Sequence, residues 1–254
     1  MLNMLSLCSG IGGIDLAAGW AGIKTVAFCE KDLYCQRVLK KHWPDTPIFD
    51  DIKTLNKGGL ERAGISRIDI VATGYPCQPY SLIGERRGEE DDRALWPYVF
   101  DRISEIRPRW FIGENVAGHV SMGLDDVLSD LESVNYTTQP IVIPAASVGA
   151  NDERYRLFVV ANLDCAGLES GSKTITHTKN AGKFIPGSGF TVIPPAITPR
   201  NEWKHKPLLG RGIHGIPNRM DRIRTLGNAV KPQQIYPILA AIAEIERKEL
   251  LNND

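Results

Sequence analysis

The sequence lacks the features that would place it in a membrane or in an oxidising compartment. Its longest apolar runs fall short of the ~18 residues that a transmembrane helix needs, and its start carries no basic secretory segment. The five cysteines form no Cys-x-x-Cys pair and no cluster with the histidines, which disfavours a disulfide framework and a zinc site. We therefore expect a reduced, cytoplasmic protein without a bound metal ion.

Net charge is also absent, with 30 basic and 30 acidic residues, but the charges are unevenly distributed. Residues 1–163 carry 17 lysines and arginines against 22 acidic residues, whereas residues 198–224 carry seven against two. The second region is either a surface for the phosphates of a nucleic acid or an ordinary solvated loop. Its charge alone does not separate these two interpretations.

Strand-like and helix-like segments alternate over the first 163 residues. Short apolar runs such as Met4–Leu7 and Ile68–Thr73 alternate with amphipathic runs such as Asp32–His42 and Leu124–Val134. This alternation predicts a doubly wound α/β fold, in which a mostly parallel sheet has helices on both faces. A last helix is predicted for Gln233–Leu251, and its apolar stripe should pack on the same domain.

The composition changes after residue 162. Residues 164–217 contain six prolines and eight glycines without long apolar periodicity, which is typical of a loop-rich insertion or a small second lobe. We expect residues 1–163 and 225–254 to form one domain and residues 164–224 to form the lobe.

Ligand-binding signals follow the first three predicted strands. The glycine-rich segment Ser9–Gly13 allows a backbone to approach a ligand closely before a helix begins. Glu30 ends the second strand, where a carboxylate can accept from both hydroxyls of a ribose, unless it only caps the strand. Asp51, after the third strand, could accept from an adenine amino group. Such a carboxylate-lined site suits S-adenosylmethionine better than a dinucleotide, because no phosphate has to be bound.

Cys77 lies in the run Thr-Gly-Tyr-Pro-Cys-Gln at positions 73–78, directly after a buried apolar strand. Gly74 and Pro76 end that strand abruptly, at the edge where open α/β sheets bind their ligands. Most single cysteines are small buried hydrophobic residues. A thiolate at this position would instead be a strong nucleophile.

Glu114 and two arginines also lie at predicted strand ends. Glu114 follows the apolar strand 110–113, and burial could keep it protonated so that it acts as an acid. Arg154 and Arg156 alternate along a later strand, so both can enter one cleft, unless they form structural ion pairs. A thiol, a carboxyl group and two arginines suggest nucleophilic attack on an electron-poor ring.

Taken in order, these motifs resemble those of the cytosine-5 DNA methyltransferases of bacteria and phages. The Pro-Cys-Gln and Glu-Asn-Val motifs in this order are highly specific. The matching segments are Ser9–Gly13, Glu30, Asp51-Ile52, Pro76-Cys77-Gln78, Glu114-Asn115-Val116, Arg154-x-Arg156 and Gly227-Asn228-Ala229-Val230. Three positions depart from the family's usual residues: Cys8 and Lys31 replace aromatic residues, and Asp152 replaces a glutamine.

The resemblance implies an enzyme that methylates C5 of a cytosine flipped out of double-stranded DNA, through a covalent adduct with Cys77. Glu114, Arg154 and Arg156 would complete the catalytic group, and the lobe 164–224 would recognise the target sequence. S-Adenosylmethionine would contact Cys8, Ser9, Gly10, Ile11, Gly12, Gly13, Glu30, Asp51, Ile52, Pro76, Asn228 and Ala229. DNA would contact Gln78, Ser81, Arg200, Lys204, Lys206 and Arg211.

Two other functions are compatible with the same fold. The chain could be a catalytically inactive DNA-binding or accessory protein, although every group that does chemistry is present. It could also methylate RNA, since one branch of the fold does. We expect a monomer in a bacterial cell or a phage-infected host, with a cognate restriction endonuclease as a candidate partner.

Overall fold

The computed structural model describes residues 1–76, 95–121, 123–150, 154–163 and 225–252. Its centre is a seven-stranded sheet with the strand order β3-β2-β1-β4-β5-β7-β6. The pairs among the first five strands are parallel, whereas β7 runs antiparallel to β5 and β6. The predicted mostly parallel sheet is therefore confirmed. The strands are β1 (Asn3–Leu7), β2 (Lys24–Cys29), β3 (Ile48–Phe49), β4 (Ile70–Thr73), β5 (Trp110–Val116), β6 (Thr137–Pro144) and β7 (Tyr155–Asn162).

Helices connect most of the strands. They are α1 (Gly13–Trp20), α2 (Leu33–His42), α3 (Lys57–Arg62), α4 (Trp96–Ile106), α5 (Leu124–Ser133) and α6 (Pro232–Asn252). The local sequence does not indicate α3, because Gly58 and Gly59 lower its helix propensity. The helix nevertheless forms, with Asn56 as its N-cap: the side-chain oxygen of Asn56 accepts a hydrogen bond from the N–H of Gly59 at 2.8 Å.

The two faces of the sheet bury separate apolar clusters, which is what a doubly wound fold requires. On one face, Leu5 and Phe111 pack with Val99 of α4 and Leu131 of α5. On the other face, strand residues meet α1 and α6. This second cluster contains Met4, Ile112, Ala17, Ala18, Ile235, Leu239 and Ile242. Because side chains alternate along a strand, each central strand supplies both clusters.

The last helix packs on the sheet as predicted, and polar contacts fix its far end. The indole Nε1 of Trp110 donates to Oε1 of Glu246 at 2.7 Å, and Arg109 donates to Oε2 of Glu246 at 2.9 Å. These bonds tie the end of α6 to the beginning of β5. Within the described ranges, no helix combines the length and apolarity needed to cross a membrane.

Candidate active site

One edge of the sheet brings the proposed functional groups together. The parallel strands β1, β2, β4 and β5 end at this edge, and β7 begins there because it is antiparallel. The segments after β1 and β2 carry the glycine loop and Glu30. Glu114 lies near the end of β5, and Arg156 opposite Val116 near the beginning of β7. Ligands of open α/β sheets bind at such an edge.

The glycine loop has a backbone that only glycine adopts without strain at two positions. Gly10 and Gly12 have φ angles of +56° and +83°. A Cβ at Gly13 would lie 2.3 Å from the carbonyl oxygen of Val230, so no larger residue fits there. A Cβ at Gly10 would meet nothing within 4 Å, which leaves room for a ligand against the loop.

Glu30 is held by backbone donors on both carboxylate oxygens. The N–H of Gly10 donates to Oε2 and the N–H of Asp32 to Oε1, each at 2.7 Å. Burial raises the pKa of Glu30, while these two hydrogen bonds act in the opposite direction. Each carboxylate oxygen can accept a second hydrogen bond, so the side chain keeps acceptor capacity for further donors.

Asp51 and its neighbours form the third part of this region. The ammonium group of Lys31 lies 3.6 Å from Oδ2 of Asp51, and the Lys31 side chain is mostly exposed. Oδ1 of Asp51 accepts from the N–H of Lys53 at 2.9 Å. The side chain of Ile52 is buried in the core rather than open to the edge.

Cys8, at the end of β1, is half-buried and combines an unusual backbone with a raised thiol pKa. Its φ angle is +50°, which is uncommon for a residue other than glycine. Burial raises the pKa of the Cys8 thiol to about 12, and the nearby carboxylate of Glu30 adds to this effect. The thiol is therefore neutral at physiological pH, which suits a packing role and not a nucleophilic one.

Glu114 and Arg156 form a buried ion pair. Nε of Arg156 lies 2.8 Å from Oε1 of Glu114, and both side chains are largely enclosed. Burial raises the pKa of Glu114 to about 7, although Arg156 and then Arg154 lower it. A Cβ at Gly74 would lie 3.4 Å from Oε2 of Glu114, so the carboxyl group also contacts the segment after β4.

Arg154 has different partners from Arg156. Its two terminal nitrogens donate to the carbonyl oxygens of Gly227 and Ala229 at 2.9 and 2.8 Å. This contact ties the beginning of β7 to the segment that precedes α6. In that segment the side chain of Asn228 is exposed, whereas Val230 is buried against Gly13 of the glycine loop.

Sequence reasoning missed supporting residues on two sides of the site. Trp43 packs under the glycine loop, where a Cβ at Gly12 would lie 2.6 Å from its ring. His119 is buried, and its Nε2 lies 3.1 Å from the hydroxyl of Tyr75. For Tyr75 and His119, the available sequence signal was their closeness to the motifs. Tyr75 lies two residues before Cys77, and His119 lies five residues after Glu114.

Several proposed site residues lie outside the described residues. They are Cys77, Gln78, Ser81, Arg200, Lys204, Lys206 and Arg211. The described chain reaches Pro76, which is exposed at the end of the segment that follows β4.

Comparison with known proteins identifies relatives along most of the chain. The 29% identity to the type II methyltransferase M.AquIA of Picosynechococcus sp. extends over 249 residues and covers 91% of each protein. The type II methyltransferase M2.BsuMI of Bacillus subtilis is 32% identical over 171 residues, which are 64% of this chain and 42% of that protein. The chain thus spans nearly all of one relative and less than half of the other.

Solved structures give a consistent result. A protein described as a DNA modification methyltransferase, encoded within an E. coli prophage, is 27% identical, with a TM-score of 0.56 over 65% of this chain and 47% of that chain. A DNMT2 variant from Spodoptera frugiperda has the same fold, with 20% identity and a TM-score of 0.56 over 74% of this chain and 56% of that chain. The sequence model of the C-5 cytosine-specific DNA methylases matches residues 2–187. The chain therefore belongs to the C-5 cytosine-specific DNA methylase family.

Proposed function

We propose that this protein transfers a methyl group from S-adenosylmethionine to C5 of a cytosine in a specific sequence of double-stranded DNA, through a covalent adduct with Cys77. The observation that carries the proposal is the buried Glu114–Arg156 pair. It lies at the same sheet edge as Glu30, the glycine loop and the strand end that leads to Cys77.

Cys77 would be the nucleophile. C5 of cytosine is too weak a nucleophile to accept a methyl group directly. Addition of the Cys77 thiolate at C6 would break the 5,6 double bond and leave an enamine across C4 and C5, so that C5 becomes carbanion-like. C5 would then take the methyl group, and S-adenosylhomocysteine would be released. Water would serve as the base that takes the C5 proton, the thiolate would leave C6, and the 5,6 double bond would form again.

Glu114 would interact with N3 of the cytosine ring. A pKa of about 7 means that a substantial fraction of the carboxyl groups carries a proton at neutral pH. A protonated carboxyl group can donate a hydrogen bond to N3 and offset the negative charge that the thiolate brings to the ring. General-acid assistance of this type contributes ~10²–10⁴ in rate.

The two arginines would have separate roles. Arg156, paired with Glu114, would contact O2 of the same ring and hold it against the thiol. Arg154 already donates to two backbone carbonyls. We therefore assign Arg154 to positioning the segment 227–230, which packs against the glycine loop through Val230.

The residues at the edge fit S-adenosylmethionine. Glu30 retains acceptor capacity for the ribose hydroxyls, the open space at Gly10 admits a ligand, and Asp51 can accept from the adenine amino group. Pro76, Asn228 and Ala229 would contact the same ligand, with Asn228 near its methionine end. When bound, S-adenosylmethionine supplies an electrophilic methyl group attached to a sulfonium centre.

DNA would be bound by residues outside the described ranges. The target cytosine has to flip out of the duplex, at a cost of a few kcal/mol, before a thiol can reach C6. We propose that residues 164–224 form the target-recognition lobe and that Gln78, Ser81 and the basic residues of this lobe contact DNA. The names of the relatives as type II methyltransferases favour a restriction-modification system, with a cognate endonuclease as partner.

The proposal is tested by transfer of a labelled methyl group from S-adenosylmethionine to unmethylated DNA and, in parallel, to RNA. We expect label in DNA, loss of transfer in Cys77→Ser with binding retained, and covalent trapping of the wild type on DNA that contains 5-fluorocytosine. Label in RNA alone would assign the RNA substrate. DNA binding without transfer would assign the inactive DNA-binding role, and full activity of Cys77→Ser would reject the adduct.

A further inference from the structure

Tyr75 lies between the end of β4 and Cys77, and its side chain is buried against the segment that follows β5. The Tyr75 hydroxyl lies 3.1 Å from Nε2 of His119, and the two rings meet edge to face with centroids 5.7 Å apart. Both residues are almost completely enclosed, with 4% and 3% of their surface exposed. Sequentially distant chain segments are therefore joined by a buried polar contact at the edge of the site.

The main chain of Tyr75 is held by the same segment. Nδ2 of Asn115 donates to the carbonyl oxygen of Tyr75 at 3.3 Å, and Oδ1 of Asn115 accepts from the N–H of Val116. Asn115 directly follows Glu114. Gly113 lies beneath the Tyr75 ring, where a Cβ would approach the ring to 3.3 Å. The position of Tyr75 is thus set relative to Glu114 through both its side chain and its backbone.

The His119 ring is confined. A Cβ at Gly123 would lie 3.2 Å from Cε1 of His119, so backbone packs against that side of the ring. Among the described residues, Nδ1 of His119 has no hydrogen-bond partner. An apolar pair would fill this space without the cost of burying polar groups. Unlike an apolar pair, the tyrosine–histidine pair also provides a directional polar contact.

We propose that the Tyr75–His119 contact fixes the position of segment 74–76 relative to Glu114, and thereby determines the position of Cys77, which follows this segment. This inference rests on the proposed function for the roles of Cys77 and Glu114. Tyr75 and His119 are positioning residues, since neither is assigned a contact with the reacting atoms. A misplacement of about 1 Å at a reacting group can cost ~10²-fold in rate.

A double-mutant cycle tests the contact. Tyr75→Phe and His119→Leu each remove one partner of the Tyr75–His119 contact, and each should lower the single-turnover rate of DNA methylation about tenfold. Because both act through one contact, the double variant should lie within about threefold of either single variant and not at their ~100-fold product. His119→Gln can donate or accept where Nε2 does, so it should restore most of the rate.

Tyr136→Phe is the matched control. It removes a buried tyrosine hydroxyl that donates to the carbonyl oxygen of Pro108 at 2.5 Å, away from the site. We expect Tyr136→Phe to lower the Tm without changing the methylation rate measured well below that Tm. The affinity of the Tyr75 and His119 variants for S-adenosylhomocysteine should fall much less than the methylation rate, because Pro76 is only one of several proposed cofactor contacts. This difference separates positioning from a general loss of structure.

A second measurement does not depend on methyl transfer. The rate at which iodoacetamide alkylates Cys77 is measured by mass spectrometry of the Cys77 peptide. This rate should change by about threefold or more in both single variants. Buried Cys35 serves as the internal reference. Wild-type rates in both assays, or effects that multiply in the double variant, would overturn the proposal. If the wild type transfers no methyl group but the Cys77 alkylation rates of the single and double variants still show the coupling, the proposed function is rejected and the positioning role is supported.

Discussion

Arg156 and Glu114 approach each other to 2.8 Å between Nε and Oε1, yet the pair is not an aligned hydrogen bond. Among the described residues, Oε1 of Glu114 has no partner with hydrogen-bond geometry. The guanidinium group attracts the carboxylate and lowers the pKa of Glu114. With burial opposing this attraction, the pKa of Glu114 rises to about 7, and both protonation states are accessible near neutral pH.

This balance predicts the pH dependence of methylation. If protonated Glu114 donates to N3, kcat/KM should fall as the pH rises through about 7, because the donor is lost. The pH profile of kcat/KM should also have an ascending limb, because deprotonation of the Cys77 thiol produces the nucleophilic thiolate. In Glu114→Gln the descending limb should disappear, since an amide does not titrate, and the maximal rate should fall by ~10²-fold. Steady-state kinetics from pH 5.5 to about 9 measures both limbs.

Glu132→Gln is the control for this profile, because Glu132 is exposed and lies away from the sheet edge that carries Glu114. It should leave both limbs unchanged. A descending limb that persists in Glu114→Gln would assign the titration to another group and reject the acid role of Glu114.

Glu30 should determine cofactor affinity. Glu30→Ala removes acceptors for two ribose hydroxyls, and hydrogen bonds to a charged group contribute ~1.5–3 kcal/mol each. The Kd for S-adenosylhomocysteine, measured by calorimetry, should therefore rise by about 100-fold or more. Asp32→Asn is the control, because asparagine keeps the N-cap of α2 that Asp32 provides. Equal affinities of Glu30→Ala and the wild type would refute the ribose assignment.

The alternation of apolar strands and amphipathic helices was sufficient to predict the sheet and its helices, because burial on both faces makes each central strand almost entirely apolar. The run Pro-Ile-Val-Ile-Pro at positions 140–144 indicates a strand from its local pattern, but β6 begins earlier, at Thr137. The polar residues 137–139 join the strand because they pair with β7, and no local pattern records such pairing.

The site was predictable as a set of positions but not as a set of contacts. Strand ends and motif order indicated Glu114, Arg154 and Arg156. Their partners depend on which strands are neighbours, and the antiparallel insertion of β7 between β5 and β6 has no signature in the sequence. This insertion brings Arg156 to Glu114, and the return of the chain before α6 brings Gly227 to Arg154.

Because Arg154 and Arg156 have different partners, we expect substitutions of the two residues to cause different defects. Arg154→Gln loses at least one of two hydrogen bonds to the segment 227–230, so hydrogen exchange in residues 225–230 should increase and cofactor affinity should fall about tenfold. Its kcat at saturating cofactor should stay close to that of the wild type. Arg156→Gln should instead lower kcat and raise the pKa of Glu114, since Arg156 lowers that pKa in the wild type. Identical defects in the two variants would contradict this division.

Asp15 predicts a pH-dependent stability that is independent of catalysis. Its carboxylate is buried and accepts from the hydroxyls of Ser6 at 3.1 Å and Thr25 at 3.0 Å. Burial nevertheless raises its pKa to about 6 from the ordinary 3.8. The folded state therefore binds the proton more tightly than the unfolded state. The resulting stabilisation is complete below pH ~3.8 and is lost as the pH rises through about 6.

Asp15→Asn removes this titration while keeping polar groups for Ser6 and Thr25. We expect the variant to gain stability relative to the wild type between pH 4 and 7, by on the order of 3 kcal/mol across that interval. Urea unfolding of both proteins at each pH measures the difference, in which the other titrating groups cancel. Asp125→Asn is the matched control, because Asp125 lies in the first turn of α5 as Asp15 lies in that of α1, but is exposed. A stability difference that stayed constant with pH, or that appeared equally in Asp125→Asn, would show that the Asp15 carboxyl keeps an ordinary pKa in the folded protein.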